Sequence, residues 1–321
     1  LKTVDVVKDG KVESLPFDEF SKRLNSVKVN GVEWTYEVAG DGVVLGSVSR
    51  FVVLIGQAKL AIPRNTSGAL VIPGTLAGMP VRGIGIGAFS ACSNLTSVTI
   101  PSSVMSIGKW AFKGCVGLTS VTIPSSVTSI GEGAFEGCAG LVSLTIPSSV
   151  TSIDDSAFFG CRGLKSFVVD PQNQTYSSVN GLLCSKDGRT LVQYVIGDGT
   201  IPPCVTSIGE GAFSGCSNLT SVTIPSSVTS IGKWAFGWSG LTSVTIPSSV
   251  TNIMCGAFVG CKGVTSFVVD SNSSSYSSIN GLLCSKDGSH LIQGVNGDVK
   301  IPACVTNIDE SAFKDYEGLT S

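Results

Sequence analysis

The sequence predicts a solenoid, in which similar coils of chain stack side by side and share one core. The first observation is a period of 23 residues, seen in the spacing of Phe89, Phe112, Phe135 and Phe158. The second is the unit L-T-S-V-T-I-P-S-S-V-T-S-I-G-x-x-A-F-x-G-C-x-G, which recurs almost letter for letter. The third is composition, because 42% of the 321 residues are hydrophobic and only 14% are charged. Repeats of this length bury their apolar side only by stacking on one another.

The first part of each unit has the pattern of a strand. Leu118, Val121 and Ile123 follow the L-x-x-L-x-L spacing of a leucine-rich repeat. Val121 and Ile123 share one face of the strand, and Ser120 and Thr122 share the other, because side chains alternate along a strand. We therefore predict a leucine-rich-repeat solenoid, a right-handed superhelix of ~23-residue coils with a parallel sheet. A parallel β-helix, with long strands on three sides, is the alternative.

The rest of the unit predicts the return of the chain. Pro124 cannot donate a hydrogen bond to a neighbouring strand and therefore ends this one. Ala134, Phe135 and Cys138 have the spacing of one short helical turn, with the Phe135 ring filling the inside of the coil.

The repeat is interrupted twice by longer segments that match each other at a constant offset of 100 residues. Both contain N-G-L-L-C-S-K-D-G, and an Asp-Gly pair between apolar runs is a strong hairpin signal. We predict two inserted β-hairpins, near 164–204 and 264–304, that project from the solenoid. Their strands are expected between Leu182 and Val195 and between Leu282 and Val295.

The N-terminal segment differs in composition. Residues 1–40 hold 13 of the 44 charged residues, so we expect a separate N-terminal module or cap there, with the solenoid spanning 41–321. Val4 to Leu15 predicts a hairpin about Asp-Gly, the apolar face of residues 17–24 predicts a short helix, and the alternation over 32–38 predicts a strand.

The repeated unit and the insertion S-V-N-G-L-L-C-S-K-D-G-R-T-L resemble the BspA-like leucine-rich-repeat family over about residues 60–321. The resemblance implies a surface protein of a host-associated bacterium or a protist. Members are regarded as secreted or surface-anchored, and some as adhesins for host matrix proteins or other cells.

Cysteine gives two expectations. Six of the eleven cysteines share one column of the repeat, where small buried hydrophobes are expected: Cys92, Cys115, Cys138, Cys161, Cys216 and Cys261. Two further pairs recur in both insertions, Cys184 with Cys204 and Cys284 with Cys304. Each pair is either a disulfide that ties the hairpin to its corner or two buried thiols copied by duplication.

Little in the sequence suggests an enzyme. His290 is the single histidine, so Ser-His-Asp, Cys-His and Cys/His metal sites lack their components. No phosphate-binding loop is present. We expect no catalytic, cofactor-binding or metal-binding residues.

Charge and hydropathy limit the kinds of partner that this chain is expected to bind. The net charge is −2 with no Lys/Arg-rich run, which argues against nucleic-acid binding. No stretch of about 18 apolar residues could span a membrane. The chain begins at Leu1 without a signal-peptide pattern, so we expect any targeting segment to have been removed.

The outward strand face is the strongest candidate for ligand binding, because solenoids usually dock partners on their concave strand side. Cross-strand Thr pairs also stabilise a sheet without any ligand, so a purely structural role is the competing interpretation. The face consists of Ser97, Thr99, Ser120, Thr122, Ser143, Thr145, Ser221, Thr223, Ser243 and Thr245.

Two tryptophans are the other candidates. Trp110 and Trp234 both occur as I-G-K-W-A-F, two residues before the coil phenylalanine. They are expected to be either partly buried packing residues or exposed ligand anchors on the bend side.

These observations predict a non-catalytic, secreted or cell-surface interaction protein. Its expected activity is adhesion to host or neighbouring-cell proteins through the solenoid face. A carbohydrate-binding accessory module, using the hydroxyl face or the tryptophans, is the alternative, and its partner would be a glycan.

Overall fold

The computed structural model describes residues 3–8, 11–16, 25–39, 41–46 and 60–316, and these ranges hold strands, turns and bends but no helix. The chain divides into two compact units, Leu1–Phe158 and Phe159–Ser321.

The strands of the first unit are short, because each crosses only one side of a coil. They are β1 (Thr3–Lys8), β2 (Lys11–Pro16), β3 (Asn25–Val29), β4 (Val32–Ala39), β5 (Gly42–Leu45), β6 (Gly68–Val71), β7 (Thr75–Leu76), β8 (Met79–Ile84), β9 (Leu95–Thr99), β10 (Ser106–Ile107), β11 (Ser120–Thr122), β12 (Ser129–Ile130), β13 (Ser143–Ile146) and β14 (Ser152–Ile153).

Two columns of parallel strands build the repeated part of this unit. The first column is β6, β9 and β11, which pair in that order; β9 and β11 come from L-T-S-V-T segments, and β6 has the divergent sequence G-A-L-V. The second column is β8, β10, β12 and β14, of which β8 ends in G-I and the other three are S-I segments. They are in register, so that Ile107 pairs with Ile130 and Ile130 with Ile153. The second column was not predicted. It arises because stacking brings each S-I segment within hydrogen-bonding distance of its copies one coil away. The described strands thus occupy two sides of a coil, not the three of a β-helix.

The N-terminal segment joins the second column. β3, β4 and β5 form an antiparallel meander, and β5 pairs parallel with β8. Strand β4 confirms the predicted strand over 32–38, and the β1–β2 hairpin confirms the predicted hairpin between Val4 and Leu15. The predicted helix over 17–24 lies outside the described residues. The division between residues 40 and 41 stays a prediction.

A ladder of phenylalanines runs through the core of the first unit. Phe89, Phe112, Phe135 and Phe158 stack with centroids 5.0, 5.3 and 5.7 Å apart and planes within 7°. Trp34 closes the ladder with its edge against Phe89 at 6.4 Å. The ladder follows from the 23-residue period, because each ring occupies the same place in its coil.

The bend that carries each phenylalanine differs from the prediction, since the expected short helix is a series of tight turns. Glu136 N–H donates to the Gly133 carbonyl in its own coil, but Phe135 N–H donates to Ala157 in the next coil. Bonds to the neighbouring coil replace those that a helix would make within the segment.

The second unit contains a similar set of short strands. They are β15 (Ser166–Val169), β16 (Tyr176–Val179), β17 (Leu182–Ser185), β18 (Thr190–Gln193), β19 (Ser207–Ile208), β20 (Ser230–Ile231), β21 (Ser243–Ile246), β22 (Asn252–Ile253), β23 (Ser266–Val269), β24 (Tyr276–Ile279), β25 (Leu282–Ser285), β26 (His290–Gln293) and β27 (Asn307–Ile308).

The two insertions form sheets rather than projecting hairpins. The predicted hairpin exists as β17–β18, but an unpredicted strand, β16, precedes it across the Asn180-Gly181 turn. β18 then pairs parallel with β19, and β19 with β20, so the first insertion joins the column of short parallel strands of the second unit. β24–β25–β26–β27 repeats this arrangement. The prediction of projection was wrong because Leu183, Leu191 and their copies are fully buried.

Candidate interaction surface

The ten predicted Ser and Thr residues, here called the strand face, point away from the core. All are exposed except Ser97, which is half-buried. This arrangement follows from the alternation of side chains along a strand. The residue between each Ser and Thr is buried in four of the strands: Val98, Val121, Leu144 and Val244.

In the first unit the strand face is built in register. Ser97 pairs with Ser120, and Thr99 with Thr122, across β9 and β11. Neighbouring strands lie about 4.8 Å apart, so the hydroxyls form short parallel rows.

In the second unit the strand face is less regular. Ser243 pairs with Ser266, but Thr245 pairs with Val268. Thr223 makes only an isolated parallel bridge to Thr200, and Ser221 lies outside any strand. The hydroxyl rows that the sequence predicts are therefore interrupted here.

The hydroxyls of the strand face make no hydrogen bond with any described residue. Each can both donate and accept. An exposed row of such groups can meet the backbone or polar side chains of a partner without breaking a bond inside the protein.

The Ser and Thr residues at the coil corners behave differently, because their hydroxyls bond the preceding coil. Thr128 Oγ1 donates to the Met105 carbonyl at 3.2 Å, and Ser126 Oγ donates to the Val104 carbonyl at 2.6 Å. The same bond is made by Thr119, Ser149, Thr151, Ser227, Thr229, Thr242 and Thr251. These residues stabilise the stack, whereas the strand-face hydroxyls make no such bond with any residue that the structure describes.

Exposed valines accompany the strand face. Val71 is 68% exposed and pairs with Thr99, and Val268 is 52% exposed and pairs with Thr245. Val168 is 55% exposed at the corresponding place in the first insertion. Apolar groups at the edge of a hydroxylated surface add area that a partner can desolvate.

Trp110 and Trp234 are half-buried on the bends, and both have positive φ angles, 57° and 53°. A Cβ on Gly133 would lie 2.5 Å from Trp110 Cδ1, and one on Gly256 would lie 3.2 Å from Trp234 Cδ1. Each indole therefore packs against a glycine of the next coil. Glycine adopts positive φ without steric cost, and four other coils have a glycine with positive φ at this position: Gly87, Gly133, Gly211 and Gly256.

Lysines partly cover both rings. Lys109 Nζ lies 4.3 Å from the centroid of Trp110, and Lys233 Nζ lies 4.1 Å from that of Trp234. Lys109 also forms an ion pair with Glu132 in the next coil. These contacts support the packing interpretation of the tryptophans over that of open ligand anchors.

Sequence reasoning missed Trp238, which lies in the same arrangement. Its φ is 53°, its ring would contact a Cβ on Gly260 at 2.5 Å, and its Nε1 donates to Asp315 at 3.2 Å. The signal was available, because a glycine follows Trp238 by 22 residues in the next coil.

A family comparison identifies the repeat. The model of the BspA type leucine rich repeat region matches residues 79–180 and 195–320, in six copies. This chain belongs to the BspA-type leucine-rich-repeat family. The predicted family and the leucine-rich-repeat solenoid are thereby confirmed, and the β-helix alternative is not needed.

Solved structures of similar proteins carry the same kind of repeat. A leucine-rich repeat protein from Eubacterium ventriosum is 20% identical, with a TM-score of 0.50, over 92% of this chain and 90% of that one. A leucine rich cell surface protein from Faecalibacterium prausnitzii is 21% identical, with a TM-score of 0.49, over 92% and 94%. Among curated proteins, none shows significant similarity to this chain.

Four of the six column cysteines of this BspA-type protein are fully buried, whereas Cys161 and Cys216 are half-buried, so the expectation of a buried column is met only in part. Cys115 and Cys138 are fully buried, and their thiols donate to the carbonyls of Phe89 and Phe112, each at 3.1 Å. Burial raises the pKa of Cys216 to about 12 and that of Cys261 to about 11. Buried protonated thiols of this kind act as packing groups and not as nucleophiles.

The four insertion cysteines are free thiols in the structure. Cys184 and Cys284 are fully buried, whereas Cys204 and Cys304 are exposed. The two predicted disulfides stay predictions.

The single histidine contacts a carboxylate, which the sequence did not predict. His290 Nε2 lies 2.6 Å from Asp309 Oδ1, and its copy in the first insertion is Thr190. Among the described residues no three His, Cys, Asp or Glu side chains are grouped to hold a metal ion. No helix long and apolar enough to cross a membrane occurs in the described ranges.

Proposed function

We propose that this BspA-type protein is a non-catalytic interaction protein, secreted or displayed on a cell surface, that adheres to host or neighbouring-cell proteins through its strand face. The observation that carries the proposal is the contrast between two classes of hydroxyl. Those at the coil corners bond the preceding coil, whereas those of the strand face have no partner within the described residues.

The chemistry of the face favours a protein partner. Unpaired hydroxyls suit the amides and polar side chains of a polypeptide, and the exposed Val71, Val168 and Val268 supply apolar area. Interfaces of this mixed kind are typical of protein–protein contacts. The Faecalibacterium relative is described as a cell surface protein, which supports surface display here.

The test adds charge to the strand face and measures binding. The double variant Ser120→Arg/Thr122→Arg places two cations on neighbouring exposed positions of β11. Binding of the full chain to immobilised fibronectin, laminin and collagen is measured by biolayer interferometry. We expect saturable binding to at least one of them, weakened about tenfold or more in the variant.

The control adds the same charge to the bends of this coil and of the coil before it. Val116→Arg/Ala139→Arg changes two exposed bend residues that occupy equivalent positions in successive coils. This variant should bind as the wild type does. Equal loss in both variants would exclude the strand face, and absence of saturable binding to all three proteins would contradict adhesion to matrix proteins.

A glycan array separates the carbohydrate-binding alternative from this proposal. Glycan binding that is lost in Trp110→Ala or Trp234→Ala would favour the accessory-module function. The lysines above both rings make that outcome unexpected, because an indole must present an open face to stack on a sugar.

A further inference from the structure

A groove lies in the first unit beside the hairpin of β3 and β4. One wall is the tip of this hairpin, and the other is the loop of residues 63–67 that leads into β6. Its volume is about 680 Å³, within the range of roughly 300–1,000 Å³ that small-molecule sites occupy. No residue of the strand face lines the groove, so it is separate from the surface proposed for adhesion.

Backbone hydrogen bonds hold both walls in place. Thr35 N–H of β4 donates to the Ala61 carbonyl at 2.8 Å, which ties the hairpin to the chain that enters the loop. Within the loop, Thr66 N–H donates to the Pro63 carbonyl at 3.0 Å. Gly68 N–H, directly after the loop, donates to a carbonyl of the next coil at the same distance. A site whose walls are fixed before binding loses less conformational entropy when a ligand enters.

The tip of the hairpin leaves one side of the groove open. Asn30 and Gly31 have positive φ angles, 50° and 80°, as a two-residue hairpin turn requires. Gly31 lines the groove, and no described atom lies within 4 Å of the place of a Cβ on it. A ligand can therefore enter beside this turn.

Four uncharged polar side chains line the groove, and none forms a hydrogen bond with a residue that the structure describes. They are Ser26 on β3 and Asn65, Thr66 and Ser67 in the loop. A hydroxyl or an amide side chain can both donate and accept. Both walls thus present groups that can bond a polar ligand without breaking a bond within the described chain.

The charged side chains of the groove balance each other. Lys28 and Glu33 lie opposite each other on β3 and β4, both are exposed, and they are the two charged residues among those that line it. The lining therefore has no net charge, which disfavours a strongly anionic ligand such as a nucleotide. Val27, Val32 and Pro63 supply the apolar part of the lining.

We propose that this groove is a binding site for a neutral oligosaccharide. Sugar hydroxyls both donate and accept, as the Ser, Thr and Asn side chains of the groove do. Neighbouring hydroxyls of one ring can donate to the Glu33 carboxylate and accept from the Lys28 ammonium group, and such charge-assisted bonds are the stronger ones. The C–H faces of the rings pack against the two valines and the proline.

The experiment applies the full chain to an array of neutral and acidic oligosaccharides from animal and microbial sources, with detection through a peptide tag. The neutral oligosaccharide that gives the strongest signal is then titrated into the protein by isothermal calorimetry. We expect saturable binding of one oligosaccharide per chain. Asn65→Ala/Ser67→Ala should weaken it about tenfold or more, because two exposed side chains that bond the ligand are removed.

The matched control changes the same residue types in the second unit. Ser217→Ala/Asn218→Ala alters two exposed side chains outside the groove and should bind the oligosaccharide as the wild type does. Trp110→Ala should also keep this binding, which separates the groove from the tryptophans. Ser120→Arg/Thr122→Arg should keep it as well, so the result is independent of the proposed adhesion.

Three outcomes would overturn the proposal. They are equal oligosaccharide binding by the wild type and Asn65→Ala/Ser67→Ala, a preference for acidic oligosaccharides, and no binding to any neutral oligosaccharide of the array. If the same variant lost binding to a matrix protein while no oligosaccharide bound, the groove would be a protein site instead.

Discussion

Threonine in this protein has two roles that the repeat alone does not separate. Thr122 and Thr128 lie six residues apart in one unit, and both are exposed. Only Thr128 donates its hydroxyl to the preceding coil. The difference depends on which carbonyl the stacked neighbour places beside the side chain.

The pair Thr128→Val and Thr122→Val tests this distinction. Thr128→Val loses a hydrogen bond between coils and should lower the free energy of unfolding by about 0.5–1 kcal/mol. Thr122→Val loses no bond and adds a good strand former, so the change should stay within about 0.5 kcal/mol. Urea denaturation measures both, and equal losses would contradict the assignment.

Glycine on the bends has a role defined by its neighbour. Gly133 has a φ of 59°, and a Cβ there would lie 2.5 Å from Trp110 Cδ1. Gly133→Ala should therefore lower the free energy of unfolding by about 2–4 kcal/mol, from backbone strain together with overpacking. Thermal and urea denaturation measure the loss.

The control introduces Gly133→Ala into the Trp110→Gly variant, which lacks the indole. Glycine is suitable at position 110 because other coils have glycine there. In this background Gly133→Ala should cost only the backbone strain, about 1–2 kcal/mol. An identical cost in both backgrounds would show that the indole is not the source of the crowding.

At the scale of the element, the Lys-Asp-Gly turns are ordered by their aspartates. Asp287 Oδ1 accepts from Ser285 Oγ at 2.6 Å and from Ser289 N–H at 3.1 Å. These bonds hold the pKa of Asp287 at about 2, below its ordinary value of 3.8, with the Ser285 bond as the largest cause.

The sign of the pH dependence follows from this pKa. The charged form is favoured by folding, so Asp287 stabilises the turn above pH 3.8, and the contribution is lost as the pH falls towards 2. NMR titration should find the pKa of Asp287 raised in Ser285→Ala. Between about pH 4 and pH 2, the free energy of unfolding of Asp287→Asn should fall less than that of the wild type, because this group no longer titrates. If the pKa of Asp287 were unchanged in Ser285→Ala, a group other than Ser285 would be responsible for lowering it.

The inserted strands show where local patterns were sufficient and where they failed. The Asp-Gly hairpin was predicted because its turn chemistry is local. Asn180 and Gly181 also have positive φ angles, 53° and 81°, as a two-residue hairpin turn requires. That Asn-Gly signal was present in the sequence but was not used, so β16 was missed. The parallel pairing of β18 with β19 depends on a strand from another coil.

At the scale of the molecule, the phenylalanine ladder makes the stability of one coil depend on its neighbours. Phe112 is fully buried and stacks on Phe89 and Phe135. Phe112→Ala should lower the free energy of unfolding of the first unit by about 3–5 kcal/mol, because it leaves a cavity between two rings.

Phe112→Leu is the control, and its loss should be smaller because most of the volume stays filled. Hydrogen exchange should locate the loss of protection in the coils that contain Phe89 and Phe135 as well as in the changed coil. Exchange confined to the changed coil would contradict coupling through the ladder.

The sequence by itself determined the repeat, its family, the buried columns and the outward direction of the strand face, because these depend on period and on alternation along one chain. The tertiary structure decided three further points. The S-I segments pair as columns of strands, and the bends are turns instead of helix. Among the described residues, corner hydroxyls bond the preceding coil whereas strand-face hydroxyls do not. Each depends on which backbone groups a neighbouring coil presents. These contacts depend on how closely and in what register the coils stack. The order of residues within one unit does not specify that stacking.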